Sequence, residues 1–237
     1  MKRILLLLAI VSPFVFASCS DDDKEKDEPV APETIHEYVD LGLPSGTLWA
    51  TCNVGANSPE EYGDYFAWGE TSPKEVYDWS TYRWCKGAYD KLTKYCTVNS
   101  LGVVDNKVEL EPEDDAAYVN WGPSWRTPTT EQQEELIDNC RWTVETRNGV
   151  EGRLLTGPNG NTLFLPAAGY REDGSLYDQG KSCSIWSRSC YTSNSISTNA
   201  FSACDIGFGP QSLCYYNGRY HYRYYGHTVR AVRASLD

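Results

Sequence analysis

Helix-forming signals in this chain are confined to one stretch in its middle, and that confinement limits the fold more than any other feature. "EPEDDAAYVNWG", Glu111 to Gly122, carries acids at its start, where a helix dipole favours them, and has room for about two turns. "TPTTEQQEELIDNC", Thr127 to Cys140, offers Thr130 as an N-cap with Gln133 three residues on as capping-box partner. Leu136, Ile137 and Cys140 then face a core. On either side the pattern is that of strands. Val39, Leu41 and Leu43 alternate, Pro44-Ser45-Gly46 signals a turn, and Thr47 to Cys52 resumes strand-like, a style that "EYGDYFAWGE" continues. "YDWSTYRWCKG" is an irregular aromatic stretch. "GRLLTGPNGNTLFLPAAGY" predicts a hairpin around Pro158-Asn159-Gly160-Asn161, and "SIWSRSC", "AFSACDIGF" and "HTVRAVRAS" close the domain. Strands, two adjacent helices, then strands again define an α+β domain with a loop-rich second half.

The N-terminus has a different character. Lys2 and Arg3 precede an apolar run from Ile4 to Phe16, interrupted by Pro13 and too short for a permanent membrane span. This is the layout of a secretory signal. Phe16-Ala17-Ser18-Cys19 resembles the lipobox of bacterial lipoproteins, in which Cys19 becomes the acylated first residue of the mature chain. "SDDDKEKDEPVAPE" follows, charged and broken by Pro29 and Pro32, a composition that stays disordered. An acidic run directly after the lipid cysteine resembles the surface-export signal of Bacteroidota lipoproteins. The expected organisation is a signal peptide over residues 1–18, an acidic tether over 19–36 and one binding domain over 37–237. The protein is expected in the outer membrane, lipid-anchored and facing the cell exterior.

The exported setting permits disulfides among the remaining eight cysteines, and 105 pairings are possible. Cys183 with Cys190, or Cys204 with Cys214, could staple the C-terminal loops, while Cys52 and Cys140 read equally well as buried hydrophobes. No CxxC occurs, so neither a thioredoxin-like motif nor a zinc ribbon is supported. A formal net charge of −12 argues against nucleic acid as a partner.

Several phrases together resemble a known family. "YVDLGLPSGTLWATCNVGA", "YGDYFAWGE", "DDAAYVNWGPSWRTPTTEQQEEL", "LFLPAAGYR" and the closing "GHTVRAVR" are similar to the Fibrobacter succinogenes major paralogous domain, in family order and covering Tyr38 to Arg233. The resemblance implies a C-type lectin-like fold of the formylglycine-generating-enzyme-like group, with two helices, antiparallel sheets and a last strand paired with the first. Trp49, Trp68, Trp121, Trp125 and Trp186 fall in framework phrases and are expected in the core.

An enzyme is not expected. Enzymatic relatives in that fold group need a reactive cysteine pair in a cysteine–histidine-rich stretch or a histidine cluster for iron. This chain has only His36, His221 and His227, with His36 at the tether edge, and the surroundings of Cys204 and Cys214 do not match the cysteine pattern. Nucleophile-elbow, zincin and P-loop motifs are absent. Asp114 and Asp115 fit helix capping. The short motifs by which animal C-type lectins hold calcium and sugar are also missing, so no metal and no cofactor are expected.

What remains is the C-terminal segment. From Arg188 to Arg233, 46 residues, the set Lys, Glu, Gln, Met and Trp is represented by Gln211 alone, where the frequency in the first 187 residues predicts about nine. The missing types are those that pyrimidine-ending codons cannot encode. "RSCYTSNSISTNAFSACD" and "SLCYYNGRYHY" resemble the output of diversity-generating retroelements, which rewrite adenines at the 3′ end of a target gene. A static binding member with a Ser- and Tyr-rich tail is the equal alternative. Both imply ligand recognition, with Tyr supplying contact area and Ser, Gly and Asn adaptable hydrogen bonds. The expected ligand-binding residues are Tyr215, Tyr216, Asn217, Arg219, Tyr220, His221, Tyr222 and Tyr224, joined by Tyr191 and Asn194. Arg223 is read as structural. The ligand is expected to be an extracellular protein or glycan. The alternative from another class is a structural subunit of an adhesin-like assembly, its tail packed against a partner.

Overall fold

A computed structural model describes residues 36–191, 201–209, 212–215 and 220–234. All belong to one compact unit, Ala31–Asp237. It is a mixed α+β domain with few helices and several antiparallel sheets. Strands β1 (Tyr38–Asp40) and β2 (Leu48–Ala50) lead into a long irregular stretch, then helices α1 (Ala116–Trp121) and α2 (Thr130–Asn139). A meander follows: β3 (Arg141–Arg147), β4 (Val150–Thr156) and β5 (Thr162–Pro166), with the expected turn between β4 and β5. A short hairpin, β6 (Tyr170–Glu172) and β7 (Ser175–Tyr177), precedes the last sheet. That sheet contains β8 (Cys183–Cys190), β9 (Ser202–Gly209), β10 (Ser212–Tyr215) and β11 (Tyr220–Tyr222). Strand β9 pairs with β8 along one edge, so β10 and β11 share the other, end to end. None of the helices described is long and apolar enough to cross a membrane.

The ends of the domain are sewn together. Strand β12 (Val232–Arg233) pairs with β2, not with β1 as the family likeness implied, giving the order β1-β2-β12. The stretch just before it is used on every side. Phe66 and His227 exchange backbone hydrogen bonds, the Val54 amide donates to Val229, and the Trp186 amide donates to Thr228. Arg126 and Val232 also exchange a pair. Gly226 is required at the entry to this seam, because a Cβ there would lie 2.6 Å from the Tyr77 ring and 2.9 Å from the Arg171 Cβ. Arg230 is wholly buried within the seam. It donates to Asn53 Oδ1 and to the carbonyls of Ala50, Thr51 and Phe164, and burial lowers its pKa to about 10.

The helices are fixed by polar contacts more than by apolar periodicity. The N-cap of α2 is Thr129, one residue before the expected position. Its hydroxyl accepts from the Gln132 amide, and Gln132 Oε1 accepts from the Thr129 amide. This frees Gln133, expected as the capping partner, to turn inward. It is fully buried and donates to the carbonyls of Ile185 and Trp186, tying α2 to β8. Asp115 caps α1 as the sequence suggested. It also accepts from the Thr127 amide and hydroxyl and from Arg126, locking α1 to the start of α2. Asp114 instead takes the Lys94 ammonium and the Tyr95 hydroxyl.

The five framework tryptophans are all buried, Trp49 completely. "EYGDYFAWGE" does not form a strand. Gly63 and Gly69 lie at positive φ, and only Phe66 makes an isolated bridge. Seven cysteines described are free. Cys183 and Cys190 sit at opposite ends of β8, roughly 20 Å apart at strand rise, so they cannot pair. Cys204 is free as well; Cys214 lies in β10, where only the backbone is described.

Candidate functional site

The tyrosine-rich segment enters the fold as edge strands of the β9 sheet. Tyr215 stands opposite Gly207 in β10, and Tyr220, His221 and Tyr222 stand opposite Cys204, Ala203 and Ser202 in β11. Two-fold alternation then puts His221 and Tyr222 on opposite faces. Tyr222 is 42% exposed, the most open of the described segment. The chain turns inward immediately afterwards. Arg223 is buried, donates to the carbonyls of Ser202 and Tyr95, and lies 5.0 Å over the Trp68 ring. Its structural role matches the sequence reading.

Around Tyr222 the rings are continuous. Tyr222 lies 5.5 Å from Phe201, 5.7 Å from Tyr224 and 6.2 Å from Trp79. Phe201 continues to the exposed Tyr89 at 5.2 Å. In the other direction Tyr224 meets Tyr225 at 4.9 Å, and Tyr225 stacks on Tyr170 at 5.7 Å. Tyr170 in turn stacks on the exposed Tyr177 at 5.5 Å. The result is a band of aromatic rings running between two exposed tyrosines. The Tyr224 hydroxyl donates to Glu172 Oε1. Burial, then the neighbouring Glu172 carboxylate, pushes the Tyr224 and Tyr225 phenols well above the ordinary tyrosine range. Both therefore remain neutral donors at physiological pH.

Beneath this band lies a polar group. On β9 and β11, Asp205, Ala203 and His221 share one face, because Ala203 and His221 are directly paired and Asp205 is two residues along. Trp186 of β8 is opposite Asp205. His221 Nδ1 is 2.9 Å from Asp205 Oδ1. His227 arrives from the closing seam, its ring stacked on Trp186 at 4.0 Å and edge-on to His221 at 4.7 Å. Asp205, His221 and His227 each place a metal-ligating atom within 4.8 Å of the others. His36 is elsewhere, stacked on Trp121. The sequence reading placed no metal group here. Separations of 16 and 6 residues carry no ligand signature, and strand register alone brings the three together.

Of the expected binding residues, His221, Tyr222 and Tyr224 come together in this region. His221 is turned toward Asp205 with its side chain 22% exposed. Tyr191 is half-buried and its amide donates to Ser202. Tyr215 and Tyr220 are described as strand backbone only; Asn194, Tyr216, Asn217 and Arg219 lie outside the described residues. Trp79, Tyr89, Tyr170, Tyr177, Phe201 and Tyr225 were not foreseen. Trp79 belongs to the stretch already marked as aromatic and irregular, the one sequence signal that pointed to it.

Other features offer less chemistry. A cleft of about 590 Å³ is lined by Arg126, Arg188 and Arg233 with Ser45, Thr47 and Gln132. Its arginines are engaged: Arg126 with Asp115, Arg188 with Glu109, and Arg233 over the rings of Tyr38 and Trp125. Burial pushes the thiols of Cys190 and Cys204 up to about 11, so both are protonated near neutrality. No protein-family model, curated protein or solved structure matches this chain.

Proposed function

We propose that the protein is a lipid-anchored surface protein that captures an extracellular protein or glycan through its aromatic C-terminal face. The observation that carries this reading is the ring band from Tyr177 to Tyr89, with exposed Tyr222 in its middle. Exposed apolar rings gathered on one face mark interaction surfaces more often than chance scatter does. Tyrosine in particular offers a broad amphipathic contact at low entropic cost. The band is also firmly backed. Arg223, Glu172 and the closing seam hold its inner edge, which favours a preorganised contact surface.

The C-type lectin-like arrangement belongs to this proposal. Two adjacent helices and terminal strands joined in one sheet support it, whereas the loop-rich part is the stretch between β2 and α1, not the C-terminal half, which carries β3 to β12. Anchoring through Cys19, an acidic tether and display on the outer membrane rest on the N-terminal sequence. Rewriting of the 3′ coding end by a retroelement and a static binding surface both remain compatible with the band, because its supporting rings Trp79, Tyr89, Tyr170 and Tyr177 lie outside the compositionally biased segment.

Two experiments test the reading. Cells expressing the full chain should incorporate labelled fatty acid into it and expose it to added protease, and Cys19→Ser should lose both; retention of label in that variant overturns the anchor. The full chain, probed against arrays of defined glycans and of extracellular proteins, should retain a discrete set in one array. Binding confined to variants unfolded by heat overturns a specific surface.

A further inference from the structure

We propose that Asp205, His221 and His227 form a site for a single divalent transition ion, zinc being the best match. Two imidazole nitrogens and one carboxylate oxygen suit zinc and its neighbours, whereas calcium and magnesium prefer all-oxygen shells. The donors come from three separate pieces of chain: β9, β11 and the closing seam. Their ligating atoms already lie within 4.8 Å of one another. Bonds of about 2.0–2.1 Å in a tetrahedral shell put ligand atoms roughly 3.3 Å apart. The group has therefore to tighten, and does not have to be assembled.

Its parts differ in freedom as such a site requires. Asp205 is buried on a central strand opposite Trp186, and His227 is fully buried against the Trp186 ring. These two are fixed in place. His221 is on the short edge strand with its side chain partly exposed, so it can adjust to an arriving ion. An ion held here would also offset the cost of keeping the Asp205 charge out of water. Three protein donors leave zinc a fourth position. The Tyr225 and Tyr170 rings stand 5.5 Å and 6.5 Å from the His221 ring, so the exposed side of the group borders the aromatic band. Water or an acceptor group of a docked molecule would complete the shell. The site stands whether or not the band captures a ligand, because ion binding is read on the protein alone.

The test uses the full chain stripped of metal with a chelator and titrated with zinc chloride in a calorimeter. One equivalent should bind and the melting temperature should rise. Cobalt(II) in place of zinc should give the visible absorption bands of a four-coordinate nitrogen–oxygen site. Asp205→Asn and His221→Gln should each weaken zinc binding at least tenfold while the metal-free melting temperature of His221→Gln stays near that of the parent. His221→Gln guards against misfolding, since its position is on the edge and not in the core. No stoichiometric binding by the parent chain, or undiminished binding by folded His221→Gln, would overturn the proposal.

Discussion

Asp115 has no exposed surface, and its two oxygens serve an amide of α1, the Thr127 amide and hydroxyl, and the Arg126 guanidinium. A buried carboxylate is tolerated only when so fully used. Asp115→Ala strands Arg126 and several donors at once and should lower stability by about 3 kcal/mol. A urea denaturation midpoint measures it. Arg230 presents the reciprocal case, a buried cation whose planar fork reaches four acceptors: Ala50 of β2, Thr51 just after it, Phe164 of β5 and Asn53. A lysine cannot reproduce that fork. Arg230→Lys should therefore cost roughly 2 kcal/mol despite conserving charge.

At the scale of elements, α2 separates two residues that look interchangeable in sequence. Thr129 caps the helix, whereas Thr130 is its first residue and bonds instead to Ser187 Oγ. Thr129→Ala should cost about 1 kcal/mol and Thr130→Ala less, read as shifts of melting temperature. Gln133→Leu keeps the volume but leaves the Ile185 and Trp186 carbonyls without their amide, and should cost about 1–3 kcal/mol. The existence of α2 was legible because its cap chemistry and its apolar residues agree. Its start was displaced by one because Thr129-Thr130 and Gln132-Gln133 offer two equally spaced capping boxes, and only contact with β8 decides between them. The β4–β5 hairpin, the β8 and β9 strands and the buried tryptophans were legible for similar reasons of local consistency. The β12–β2 pairing and the Asp205–His221–His227 group depend on register between distant segments, which alternation cannot reveal. Two rings of the aromatic band were hidden for a further reason: Trp79 and Tyr89 sit in an irregular stretch that has no periodicity to place them.

The whole molecule holds many acids of weak strength in their protonated form. Burial raises the Cys183 thiol from 9.0 to about 12 and the Tyr65 phenol from 10.0 to about 12, and Tyr82, Tyr224 and Tyr225 move the same way. Such groups stabilise the fold fully below their unfolded pKa values and lose that contribution as pH climbs toward the folded ones. Stability should stay flat in this respect through neutral pH and fall from about pH 9 upward. Melting temperatures across pH 7–11 test it, and tyrosinate absorbance should grow mainly as the protein unfolds. An unchanged melting temperature at pH 11 would contradict the burial of these groups.

On the same scale, the aromatic band opens to solvent at Tyr222, 42% exposed, and Tyr89, 49% exposed, bridged by Phe201, which with Trp79 and Tyr224 packs back against the core. Interface tyrosines at the centre of a contact commonly cost 2 kcal/mol or more when truncated, about thirtyfold in affinity. The decisive measurement compares the parent chain with the Tyr89→Ala, Tyr222→Ala double variant on the same glycan and protein arrays, with melting temperatures recorded alongside. Capture by the parent should fall at least tenfold in the double variant, with the melting temperature nearly unchanged. Undiminished capture, or a collapse of stability that marks both rings as structural, would contradict the account.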